Sequence, residues 1–273
     1  MKLLFYFSLI VLIFLAISLL FPLYWMFKGS FEMMGFAMKI PPFFLPHNPT
    51  IQNYVNIFIQ YPVIRWILNS SIVAIFTVGM SVVFSCMAGY AFGKKDFPGK
   101  NILFWLLLST MMIPFHITLI PLFATMKSLG LYDTLPAVFL PSACNAGGMF
   151  LARQYMSTLP SDILDAARMD GAGEFKIFTL IVIPISKPLV AALSIFAFVG
   201  SWENFLWPLI ISGSNSSRTL TVGVATISCA GGAMIDLGIA MSGASLVALP
   251  LIIFFFMFQK YFTKGITLGG IKG

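Results

Sequence analysis

The stretch LDAARMDGAGEFKIFTLIVIPISKP, Leu164 to Pro188, is the longest polar interruption in an otherwise apolar chain. From Arg153 to Lys187, eight of the chain's 25 charged residues fall within 35 positions, so this segment belongs in water. Pro160 and Asp162 supply a helix start. Asp165 follows three residues on as a weak version of a capping box, and both acids favour the positive end of the helix. Gly171 and Gly173 supply a stop or bend. Ile163, Ala166 and Ala167 share one face of the short helix, while Asp165 and Arg168 are spaced to pair at i, i+3 on another. Beyond the bend Phe175, Phe178, Leu180 and Ile181 return the chain to apolar surroundings, between Pro184 and Pro188. Two readings follow: a docking knob held just below a bilayer, or a solvated loop helix resting on the headgroups.

Around this segment the composition is that of an integral membrane protein. Of 273 residues 59% are hydrophobic and 9% charged, against roughly 25% charged in a soluble domain. The net charge of +7 comes from basic residues set between apolar runs, where they act as topology determinants rather than as a nucleic-acid surface. Cys86, Cys144 and Cys229 show no metal-ligand spacing and read as packing residues. The opening MKLLFYFSLIVLIFLAISLLFPLYW has an apolar run about twice the length of a signal-peptide core and no small-x-small cleavage site, so it reads as a retained first span.

Six spans are expected: Leu3 to Phe27, Ile67 to Gly93, Ile102 to Met126, Thr134 to Tyr155, Pro188 to Ser212 and Leu237 to Gln259. The third, fourth and sixth carry prolines, which bundled membrane helices tolerate because neighbours re-satisfy the freed carbonyls. With the N-terminus inside, 11 of the 16 basic residues lie on the cytoplasmic side, and both termini are cytoplasmic. Lys28, Lys39, Arg65, Lys127 and Arg218 fall outside. TLTVGVATISCAGGAMI, after Arg218, reads as an external or partly re-entrant segment, because a seventh span would break the charge bias. IPPFFLPHNPT reads as extended chain before a short surface helix near Ile51 to Ile59.

The interrupting segment resembles the signature cytoplasmic loop of binding-protein-dependent ABC importer permeases: E-A-A, three residues, G, nine residues, I-x-L-P. Here it reads Asp165-Ala166-Ala167, Gly171, then Ile181-Val182-Ile183-Pro184, with Asp165 in place of Glu and Ile183 in place of Leu. NPTIQNYVNIF (48–58), LNSS (68–71), GYAFGKKDFPGK (89–100), GLYDT (130–134), TLTVGV (219–224) and GITLGGIKG (265–273) extend the likeness over most of the chain. They are similar to the second, maltose-type membrane subunit of the carbohydrate importers.

The resemblance implies an all-α polytopic bundle of six transmembrane helices, a type I importer fold. It implies one permease domain over residues 1–273 with a coupling loop at about 156–186. Asp165, Ala166, Ala167, Arg168, Met169, Asp170, Gly171 and Pro184 would couple to an ATPase. The implied partners are a second permease in a heterodimer, two copies of an ABC ATPase subunit, an external solute-binding protein and the lipid bilayer. No cofactor is expected on this chain; ATP and Mg would sit on the ATPase subunits, and the sequence has no GxxxxGKS/T loop of its own. The chain is therefore expected to be no enzyme but a multi-pass subunit of a prokaryotic plasma membrane. Its cargo would be a sugar or oligosaccharide, with glycerol phosphate compounds as the alternative.

In the fifth span Glu203 and Asn204 lie amid apolar residues, and a charge near the bilayer centre costs about 2.5 to 3.5 kcal/mol on insertion scales. They belong against a partner helix or a polar cavity. Trp202 and Phe205 could stack on a sugar face while Glu203 and Asn204 bond its hydroxyls, with Asn145 as a further candidate for the pathway. Alternatively the two polar residues join the permeases. Trp207 reads as an interface-belt residue, His116 as a packing residue, and Gly147 and Gly148 as a close helix approach. An ion-coupled secondary transporter would need more intramembrane acids, and an intramembrane protease would need a serine motif that is missing.

Overall fold

The computed structural model describes residues 2–32, 44–230 and 236–270. Residues 40–43 of the expected extended stretch, the last three residues of GITLGGIKG, and Lys39 and Lys272 lie outside them. Helices α1 (Lys2–Ser30), α2 (Gln52–Gln60) and α3 (Val63–Lys94) come first. Then follow α4 (Lys100–Ser109), extended by a 3-10 turn at Thr110–Met112, and α5 (Phe115–Ser128). Helix α6 (Leu135–Phe139) continues through a 3-10 turn at Leu140–Ser142 and is followed by α7 (Ala146–Ser157). The interrupting segment holds α8 (Ser161–Met169), α9 (Glu174–Ile177), a π turn at Phe178–Val182 and α10 (Ile183–Ile185). Last come α11 (Lys187–Trp202), α12 (Leu206–Ile211), α13 (Leu220–Ala230) and α14 (Leu237–Gly270).

Single helices long and apolar enough to span are α1, α3 and α14; the number reaches six when each of three bent pairs is taken as one span. The pairs show where expected spans are broken. At the third span the axis turns by 100° between Met112 and Phe115. Pro114 has no N–H to donate and drives Ile113 into extended backbone (φ −84°, ψ 115°), whereas Pro121 sits inside α5 without breaking it. The fourth span bends by 43° and restarts where the Asn145 side chain accepts from the Gly148 amide. The fifth also departs from one continuous helix: α11 ends at Trp202 and the chain is irregular at 203–205 before α12 begins.

The described residues form two compact units, one from Met1–Trp66 with Leu220–Ile252, the other from Ile67–Thr219 with Ile253–Gly273. In the first unit, Trp66 packs so closely on α13 that a Cβ on Gly223 would stand 2.2 Å from the indole. Glycine is therefore required in TLTVGV for packing. Residues 220–230 of the segment expected to be external or partly re-entrant are an eleven-residue helix with Leu220, Val222 and Ile227 buried; 231–235 lie outside the described residues. Eleven residues are too few to cross a bilayer. The short helix expected near Ile51 is α2, and its buried Asn53 donates to the carbonyls of Ser30 and Glu32, each at 2.9 Å. Lys28, one of the basic residues expected on the outer side, is buried in an ion pair with Glu32.

In the second unit α3 crosses α7 through small residues. A Cβ on Gly89 would come within 2.5 Å of the Ala152 Cβ, and one on Gly148 within 2.6 Å of the Ser85 hydroxyl. Gly148 thus marks a close helix approach, as its sequence suggested. Around the crossing lies a core of Cys86, Tyr90, Met156, Leu164, Ile177 and Leu193. A second cluster gathers Val73, Met126, Ala137, Phe139, Trp207 and Ile211. Trp207 is only 1% exposed and its indole N–H donates to the Ala137 carbonyl at 2.9 Å, so it is a core residue and not a membrane-belt anchor. GLYDT and LNSS organise one loop. Asp133, in the left-handed region (φ 60°), accepts from the amides of Gly213 and Ser214 and from the Ser217 hydroxyl, while Asn69 donates to the carbonyls of Ser216 and Arg218.

Candidate coupling loop and membrane cavities

Helix α8 is held from one side and open on the other. Leu164, 1% exposed, inserts between α3, α7 and the α9 segment, where Tyr90, Met156 and Ile177 meet it. Ile163 and Ala166 remain exposed and Met169 is 88% exposed, forming an apolar ridge with Asp162, Asp165 and Asp170 beside it. The helix starts after Pro160 with no side-chain cap, so the expected capping box does not form; Asp162 lies in the first turn, and Asp165 turns to Arg168 instead. Proline at the cap position offers no side-chain acceptor.

The C-terminus is a Schellman motif. The Ala172 amide donates to Ala167 O and the Gly171 amide to Arg168 O, with Gly171 at φ 80°. Only glycine adopts that conformation without strain, which explains the G six residues after Asp165. Past the bend, Glu174 binds three groups at once. It accepts from the Tyr90 hydroxyl at 2.7 Å and from Arg168 Nε at 3.1 Å, and it pairs with Lys95. Hydrogen bonding from Lys95, then from Tyr90, holds its carboxyl at about 2, below the usual 4.5, against the opposing effect of partial burial. Lys94 donates to the carbonyls of Ser157 and Leu159, fastening the connection into α8.

Two cavities open beside α11. The larger, about 530 Å³, is walled by Ala74, Ile75, Val78 and Gly79 of α3, by Phe198 and Trp202 of α11, and by Phe254 and Phe258 of α14. Phe198 stacks on Phe254 with centroids 4.1 Å apart and on Trp202 at 5.6 Å. The smaller, about 290 Å³, has Ser81, Asn145, Gly147, Gly148 and Phe196 in its lining. No lysine or arginine is among the described residues lining either one.

The sequence model describing a binding-protein-dependent transport system inner membrane component matches residues 81–268, from the middle of α3 through most of α14. The chain belongs to this family. This permease is 39% identical over 263 residues to the arabinooligosaccharides transport system permease protein AraQ of Halalkalibacterium halodurans, covering 95% of this chain and 94% of that one. It is 38% identical to the protein of the same name from Bacillus subtilis, covering 96% and 94%. The structure is similar to a chain of a bacterial ABC transporter involved in the import of the acidic polysaccharide alginate. There the TM-score is 0.87 at 23% identity, with 96% and 97% of the two chains covered, and the likeness is one of fold. The permease is thus a multi-pass membrane subunit of a transport system rather than an ion-coupled carrier, and not itself the catalytic subunit.

The permease keeps Asp165, Ala166, Ala167, Arg168, Met169, Asp170 and Gly171 together on or just beyond α8. Pro184 stands apart, exposed in α10 after the π turn. The pathway candidates are divided. Trp202 lines the larger cavity and Asn145 the smaller, where its Oδ1 is already engaged as a helix cap. Glu203 and Asn204 occupy the break after α11, Glu203 exposed and Asn204 half-buried, and Phe205 caps α12. His116 is exposed on α5. Sequence reading passed over Leu164, Glu174 and the roles of Lys94 and Lys95. The doublet in GYAFGKKDFPGK was the only local signal, and it does not name its partners.

Proposed function

We propose that this permease forms half of the translocation pathway for a neutral sugar or short oligosaccharide and is driven through α8 by a separate ATPase. The observation that carries the reading is α8 itself: clamped at Leu164, stopped at Gly171, and presenting Ile163, Ala166 and Met169 outward. An apolar ridge at the end of a rigid anchor suits a cleft in a partner protein better than a headgroup surface, because lysine or arginine is absent from the ridge. The partners are a second permease, two ATPase subunits and an external solute-binding protein. Both termini and α8 lie on the cytoplasmic side, and ATP with Mg belongs to the ATPases, whose closure would rock the paired permeases between access states. The whole chain acts as one permease domain, with residues 156–186 as its coupling loop.

Arabinooligosaccharides are the first cargo to test, from the relatives' names. The aromatic wall formed by Phe198, Trp202, Phe254 and Phe258 can face sugar rings, and Ser71 and Ser194 in the same lining supply hydroxyls, while Glu203 and Asn204 follow Trp202 at the α11 break outside that lining. Glycerol phosphates fit less well, since a phosphate calls for the cations that the two cavity linings lack. The test is to tag the chain in its native cell, solubilise it gently and determine by mass spectrometry what copurifies. Recovery with a second permease and two ATPase subunits is expected, and Ala166→Arg should release the ATPases while the permease pair persists. Retention of the ATPases by Ala166→Arg would remove α8 from the docking site.

A further inference from the structure

The charged residues around α8 connect rather than scatter. Asp165 pairs with Arg168, Arg168 Nε donates to Glu174 at 3.1 Å, and Glu174 holds Lys95 and the Tyr90 hydroxyl. The chain of contacts therefore runs from the middle of the docking helix, across the bend at Gly171, to the end of α3. Lys94 grips the opposite side through the Ser157 and Leu159 carbonyls, so the last two lysines hold both the way into α8 and the way out of it. Gly89 and Gly93 press the same end of α3 against α7, which leaves little slack. Farther along, α3 supplies Ala74, Ile75, Val78 and Gly79 to the larger cavity. Gly79 is 16 residues from Lys95, or about 24 Å at 1.5 Å per helical residue.

Apolar burial of Leu164 explains why α8 stays attached, but a greasy contact permits rotation and sliding. A carboxylate with three directed partners on two elements does not. We propose that Glu174 is a positioning residue that locks α8 to the end of α3, so that displacement of the docking helix is delivered to the cavity wall as movement of α3. This rests on the docking reading given above. The pairs are half exposed, and such pairs add little to stability, so the effect of Glu174 should fall on coupling rather than on folding.

The experiment uses the assembled transporter purified through this chain and reconstituted in vesicles. Spin labels at Asp162→Cys and Asp96→Cys report the distance between α8 and the end of α3, with and without ATP. In the otherwise unaltered complex the distance stays constant on ATP binding. In Glu174→Gln, and separately in Lys95→Met, it should shift, while the ATPase subunits still copurify. Arabinooligosaccharide uptake per ATP hydrolysed should fall about fivefold, the low end of allosteric coupling. The double variant should lose no more than either single one, because both remove one link, and Glu174→Asp, which keeps the charge, should recover part of the loss. An unchanged distance in both single variants would overturn the proposal, and so would loss of the ATPases from both, which would make these residues part of docking or folding. If the unaltered chain brings down no ATPase, the docking reading fails first and the link with it; if it does and the variants behave like it, only the link fails.

Discussion

Among the described residues, a buried ion pair at the end of α1 and an exposed charge cluster around α8 have surroundings that give them opposite meanings. Lys28 and Glu32 pair at the end of α1 with side chains 3% and 0% exposed. Asp165, Arg168, Glu174 and Lys95 pair around α8 with side chains from 30% to 62% exposed. In the first, either ion left alone would be stranded away from water, so the pair belongs to the fold. In the second, water can replace any lost partner, so the same chemistry costs little to break and is free to serve movement.

The sharpest way to break this contrast is Glu32→Ala. It strands the Lys28 ammonium and should cost about 3–5 kcal/mol, read as a lowered melting temperature of the detergent-solubilised protein. Lys28→Met together with Glu32→Leu should recover most of that loss. Near-normal melting of Glu32→Ala would place the two clusters in one class. Next in size, Leu164→Ala removes the apolar anchor of α8 at about 2–4 kcal/mol, and the loss should be local. Protease cleavage within residues 156–174 would accelerate while α3 and α11 stay protected. Uniform destabilisation would show that the loop is part of one cooperative core.

The smallest effect is expected from pH. Folding lowers the Glu174 carboxyl from 4.5 to about 2, so its contribution is complete above pH 4.5 and is lost as the pH falls from there through about 2. The distance between labels at Asp162→Cys and Asp96→Cys should broaden only as the pH falls through about 2, where the folded carboxyl takes its proton, and be flat in Glu174→Gln. The change in stability should stay under about 1 kcal/mol, as exposed pairs do. A distance still steady below about pH 2 would mean that Leu164 alone orients α8.

Much of the α8 loop was legible in the sequence. Its polar character, the stop at Gly171 and the Asp165–Arg168 pair all depend on neighbours within one or two turns, and each stands where the spacing put it. The start was misread in detail, since Pro160 takes the cap position and leaves no side chain to close a capping box. The spans were legible as apolar stretches but not as shapes. Pro114 breaks its helix by 100° whereas Pro121 lies within one, although both are prolines in one hydrophobic run. Trp207 had the composition of an interface anchor, and only the carbonyl of Ala137, 70 positions away, made it a core residue.

Hydropathy and helix signals are sums over adjacent residues, so by itself the sequence determined that this chain is a helical membrane protein with a long polar interruption between apolar runs, and where that interruption bends. Which helices touch, which charges are buried and which are shared was decided by the tertiary structure alone. Tyr90 and Glu174 lie 84 positions apart, and no local pattern marks them as partners. They meet because Gly89, Ala152 and Leu164 bring α3, α7 and α8 close enough for a hydroxyl and a carboxylate to share a proton's reach. Steric fit between distant segments chooses those neighbours, and a change at one small residue would choose others.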